Sequence, residues 1–104
     1  MRYIALYFVQ HVFRFFSMIT VKNINSRDAW IFLQENEHAL LVDVRTPEEW
    51  TNIGKPDLST LNKNICLIAW LFLPAKNLNS HFIIELHKVA PNQDVPLLFM
   101  CKSG

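Results

Sequence analysis

The stretch Ala39–Arg45, ALLVDVR, constrains this chain more than any other. Four apolar residues in succession argue for a strand covered on both faces, as in a parallel sheet. The next four residues, Thr46-Pro47-Glu48-Glu49, spell a helix start. Thr46 takes the N-cap, Pro47 the first helical position, and Glu49 completes a capping box. Trp50 begins that helix's apolar face, and Gly54 and Pro56 end it. A buried strand leading at once into a capped helix is the opening of a strand–helix–strand unit.

The rest of the chain fits that unit. Ile19-Thr20-Val21 reads as a short edge strand. Asn25 or Ser26 caps a helix through Asn36, with Asp28 in its first turn and Ala29, Trp30 and Leu33 on a core face. The segment from Gly54 to Asn64 is a polar connection without helical or strand period. Ile65–Leu73, ICLIAWLFL, reads as one apolar strand bounded by Asn64 and Pro74, with Trp70 in the core. Asn79 or Ser80 caps a helix through Ala90, whose stripe is Phe82, Ile83, Leu86, Val89 and Ala90. Asn92 to Pro96 is a turn, and Leu97–Met100 is the last strand. The order strand, helix, strand, helix, strand, helix, strand predicts an α/β fold, a parallel sheet with helices on both faces.

Composition excludes several functions. The chain has 104 residues, enough for one domain, and a net charge of +1, which gives no electrostatic case for nucleic acid. With only two glycines there is no glycine-rich phosphate cradle. Cys66 and Cys101 form no paired motif and no zinc pattern with His11, His38, His81 or His87, so no metal and no cofactor is expected. The cysteines read as thiols of a reducing cytoplasm. Cys66, inside an apolar run, reads as a small hydrophobe.

Residues 1–18, MRYIALYFVQHVFRFFSM, form an apolar extension ahead of the domain. The clean run Tyr3–Val9 is too short for a membrane span, which needs about 20 apolar residues. Gln10, His11 and Arg14 then interrupt it. Three readings stay open: upstream sequence that is not native, with Met18 as the natural start; a helix packed on the domain; and a membrane anchor, the least supported.

The chemistry concentrates in Pro96–Gly104, PLLFMCKSG. An apolar strand delivers Cys101, and Lys102, Ser103 and Gly104 come after it. A turn there aims backbone N–H groups at the sulfur and favours thiolate. Asp43 and Arg45 stand at the carboxyl end of their strand, the edge where open α/β sheets bind ligands. They read as supporting residues, or as structural ones that fix nearby loops.

Together, LLVDVRTPEEW (Leu40–Trp50) and LLFMCKSG (Leu97–Gly104) resemble two signatures of the rhodanese homology domain, the sulfurtransferase fold. The resemblance covers Ile19–Gly104 and is similar to a bacterial single-domain subgroup. It implies transfer of sulfane sulfur, with Cys101 as the nucleophile that takes sulfur from a donor such as thiosulfate and passes it to a thiol or cyanide. It implies Lys102, Ser103 and Gly104 as the first half of the active-site loop, and Asp43 and Arg45 as supporting groups. Against the family pattern, the second half of the loop with its arginine is absent. The helix and strand after the loop are also absent, and Ile53-Gly54-Lys55-Pro56 replaces a histidine-glycine element. The chain is therefore expected to be a sulfurtransferase domain impaired by truncation, or else a non-catalytic rhodanese-like binding module or inactive fragment. A cell-cycle-type phosphatase shares the fold, but its loop places His before the Cys, where Met100 stands here.

Overall fold

The computed structural model describes the backbone of residues 2–10 and 17–22, and backbone and side chains of 23–91 and 95–101. Along the chain lie β1 (Arg2–Gln10), β2 (Ser17–Ile24), α1 (Ser26–Glu35), β3 (Leu40–Asp43), α2 (Pro47–Asn52), a 3-10 turn (Ser59–Leu61), β4 (Cys66–Leu67), β5 (Leu71–Phe72), β6 (Asn77–Leu78), α3 (Phe82–Val89) and β7 (Leu97–Cys101). The main sheet has the order β2-β1-β7-β3-β4. Strands β7, β3 and β4 are parallel, whereas β1 runs antiparallel to both β7 and β2. The α/β class is thus as the sequence predicts, and the alternation expected from Ile19 onward holds except for the β5–β6 hairpin between β4 and α3.

Both faces of the parallel strands are covered, which is why β3 and β7 are apolar at successive positions. On one face, Leu41, Leu98 and Met100 pack with Ala29 and Leu33 of α1 and with Leu58. On the other, Val42 packs with Ile68 and Phe82, and Phe99 and Leu86 lie against them. Sequence reasoning misses Leu58, because the connection around it has no period. Lys63 holds that connection in place. Its Nζ donates to the carbonyls of Asn36, Glu37 and Ala39 at 3.0, 2.7 and 2.8 Å.

The caps form where the sequence puts them. The Asn25 side chain accepts from the Asp28 N–H at 2.8 Å. Thr46 and Glu49 make the full capping box. Elsewhere the structure corrects the sequence reading. The run Ile65–Leu73 is not one strand: β4 is two residues long, the chain bends at Trp70, and β5 pairs with β6 as a separate hairpin. A turn through Pro74–Lys76, with Lys76 at φ 59°, reverses the chain there. Trp30 and Trp70, expected in the core, are 39% and 48% exposed. Trp70 instead meets Phe82 edge-on, with ring centroids 4.9 Å apart. Helix α3 starts at Phe82, later than Asn79 or Ser80. It packs by Phe82 and Leu86, while Ile83, expected in its stripe, is 70% exposed. The buried stripe keeps the expected period but is narrower.

Residues 2–10 form a strand of the main sheet, not a packed helix. Ile19–Val21 is an edge strand, as expected, but longer, and its neighbour in the sheet is β1. Among the described residues no helix is long and apolar enough to cross a membrane.

Candidate functional site

The site grows from the carboxyl edge of the parallel strands. β3 and β7 run side by side in register, Leu40 against Leu97 and Asp43 against Met100. The Val44 N–H donates to the Met100 carbonyl at 3.0 Å, so the pairing continues to the residue before the thiol. Cys101 closes β7 and is half-buried. Alternation along β7 places Leu98 and Met100 towards α1, and Phe99 and Cys101 on the opposite face, shared with α3. Lys102, Ser103 and Gly104, the expected first half of the loop, lie outside the described residues, as do Asn92–Asp94 of the preceding turn.

One strand away, Asp43 and Arg45 form a buried ion pair, with side chains 0% and 1% exposed. Arg45 Nε donates to Asp43 Oδ1 at 3.0 Å and Nη2 donates to Oδ2 at 2.8 Å. The Arg45 backbone N–H also donates to Oδ1 at 3.1 Å. Nη2 donates a further hydrogen bond of 2.6 Å to the Gly54 carbonyl. Gly54 sits at φ +109°, a conformation that side-chain-bearing residues rarely adopt. The pair therefore staples the exit of α2 to the end of β3. Its polar groups are largely spent on each other and on the backbone. Of the two sequence readings, loop fixation is the one this geometry performs directly. The pair sits on the same sheet edge as Cys101 and holds the neighbouring strand end rigid.

Cys66 has a different setting. It faces Val42 in register, and Val42 in turn faces Phe99 on the other side. Cys66 and Cys101 thus sit on strands two apart. Strand spacing of about 4.8 Å puts their Cα atoms beyond the roughly 7 Å limit of a disulfide, and neither is in one. Burial pushes the Cys66 thiol above its ordinary pKa, which suits an inert packing role. Among the described residues no group of three His, Cys, Asp or Glu could hold a metal ion.

An open cleft of about 560 Å³ lies elsewhere, along the connection after α2, lined by Lys55, Leu58, Ser59, Lys63, Ile65 and Leu67 among others. It contains none of Cys101, Asp43 or Arg45. Lys63 is committed to three carbonyls there, and burial lowers its pKa, with Glu37 opposing.

Comparison with known proteins adds fold but no activity. No family model matches the chain. It is 39% identical over 84 residues to the uncharacterized protein RP600 of Rickettsia prowazekii, covering 81% of this chain and 63% of that protein. It is 33% identical over 90 residues to the uncharacterized protein RC0915 of Rickettsia conorii, covering 83% and 65%. Among solved structures it is similar to Rv0390 from M. tuberculosis, with TM-score 0.66 and 35% identity over 78% of this chain and 58% of that one. The chain spans less than two thirds of the length of each of these three proteins.

Proposed function

We propose that this chain carries a rhodanese-type sulfurtransferase site in which Cys101 is the nucleophile. One observation carries the reading: a half-buried cysteine ends the central strand β7, at the carboxyl edge of a parallel sheet, beside a strand end locked by the Asp43–Arg45 pair. The motifs LLVDVRTPEEW and LLFMCKSG, which resemble that family, supply the chemistry. The Cys101 thiolate attacks the outer sulfur of thiosulfate, and the sulfur–sulfur bond of the donor breaks. Sulfite leaves with the electron pair, and Cys101 holds a persulfide. A thiolate or cyanide then attacks the outer sulfur and carries it away, and the Cys101 thiolate returns. The strand fixes the sulfur, and the ion pair ties the end of the neighbouring strand to the Gly54 carbonyl.

The test is intact-protein mass after incubation with thiosulfate, beside the Cys101→Ser variant. Addition of one sulfur atom to the parent, removed by cyanide and absent in the variant, is expected. A folded parent that takes up no sulfur would sink the enzyme reading.

A second reading, a non-catalytic binding module, is favoured by one feature. Leu78 of β6 and Ile83 and Ile84 of α3 are 65%, 70% and 55% exposed, and contiguous exposed apolar groups mark interaction surfaces. It becomes the better reading if the persulfide does not form.

A further inference from the structure

Val44, between the two members of the ion pair, stands beside the thiol. The Leu40 N–H donates to the Pro96 carbonyl where Leu40 faces Leu97. The Val44 N–H donates to the Met100 carbonyl in the same manner, at 3.0 Å. In a parallel ladder a residue bonds to the residues that flank its neighbour, so this bond sets Val44 against Cys101. Val44 also packs against the cluster of Val42, Ile68 and Phe82, together with Phe99. Its side chain is thereby on the face that alternation along β7 gives to Phe99 and Cys101. Adjacent strands lie about 4.8 Å apart, so the two side chains stand side by side. Both residues are half-buried.

The influence of this neighbour on the sulfur is steric. Valine carries no charge and no transferable proton. Its bulk branches at Cβ, close to the backbone, where χ1 is stiff. It does not swing aside for a reagent as a long side chain does. The backbone on either side of it is held as well, because Asp43 and Arg45 are locked to each other and to the Gly54 carbonyl.

We propose that Val44 is a specificity-determining residue at Cys101: it walls one side of the sulfur and disfavours sulfur compounds branched next to the reacting atom. This rests on Cys101 being the reactive thiol, and it names the acceptor class by shape. Cyanide and primary thiols pass the wall, and tertiary thiols are held off.

The test uses the full chain in a Cys66→Ala background, so that one thiol remains. Bromoacetamide and 2-bromopropanamide share a leaving group and differ by one methyl on the carbon that the thiolate attacks. The ratio of their rates, branched over unbranched, reads the space beside the sulfur and cancels the thiolate population. Val44→Ala is expected to raise that ratio about tenfold, the lower end of what a methylene-sized change in an apolar pocket discriminates. Val44→Thr keeps the branched outline and should keep the ratio, whereas Val44→Ile should lower it. Ile68→Val trims the same cluster on the β4 side of Val44, away from the thiol, and should leave the ratio unchanged. An unchanged ratio in Val44→Ala would overturn the proposal, and so would an equal rise in Ile68→Val, which would trace the effect to loosened packing. Should Val44→Ala fail to fold, Val44→Ile decides, and an unchanged ratio there also overturns it. Alkylation needs no sulfur transfer, so this result and the persulfide result can fail independently.

Discussion

Two apolar runs of this chain meet opposite fates. Leu40–Asp43 becomes a strand with three of four residues buried, paired on both edges and covered on both faces. Ile65–Leu73, longer and more apolar, becomes a two-residue edge strand, a bend and half a hairpin, with Trp70, Phe72 and Leu73 over 40% exposed. Hydrophobicity does not separate them. The first run ends in groups that lock its exit: the Asp43–Arg45 pair, its bond to Gly54, and the Thr46–Glu49 box. The second ends at Pro74 and a left-handed Lys76, which turn the chain back on itself. A run becomes a central strand when both its edges find partners and its ends are held. At the edge of a sheet it has one partner, and the remainder goes where local turns send it.

The largest way to break this contrast is Asp43→Ala. It leaves the Arg45 guanidinium buried without its carboxylate, at a cost of about 3–5 kcal/mol. Urea unfolding should show most of the domain's stability gone, and loss below about 1 kcal/mol would mean that the lock does not hold the strand. Next, Leu98→Ala should cost about 2–5 kcal/mol, because Leu98 is 0% exposed between the layers. Leu78→Ala in the hairpin, at 65% exposure, should stay within about 0.5 kcal/mol. Equal losses at the two sites would erase the difference between the regions. The smallest effect among the buried-strand changes is Thr46→Ala, expected to cost about 1 kcal/mol by opening the capping box while leaving β3 intact. A neutral result in thermal unfolding would show that Pro47 and the dipole-favoured Glu48 and Glu49 start α2 unaided.

Much of the fold is legible in the sequence because its signals are local. Asn25 and Thr46 cap helices by bonds to residues three positions away, and no distant partner is needed. The alternation of strands and helices is readable from such marks. The burial of Leu58 and the exposure of Trp30 and Ile83 are not. Whether an apolar side chain is buried depends on the surface opposite it, and a stripe of the right period says nothing about its width. The Asp43–Arg45 pair could be located from the sequence, but its bond to Gly54 could not, since that joins residues nine apart through a carbonyl.

Within the candidate site the division is the same. The sequence by itself determined that a thiol, Cys101, would end a buried strand, and that Asp43 and Arg45 would stand at the end of another. Both rest on runs of neighbouring residues and on the two-residue period of a strand. Only the tertiary structure decided that β7 and β3 are adjacent with Asp43 beside Met100, and that Arg2, from the far end of the chain, lies across from Cys101. Register between strands is set by how whole faces bury together. No local propensity encodes it, and so the residue paired with Cys101 in the sheet could be found only once the sheet was assembled.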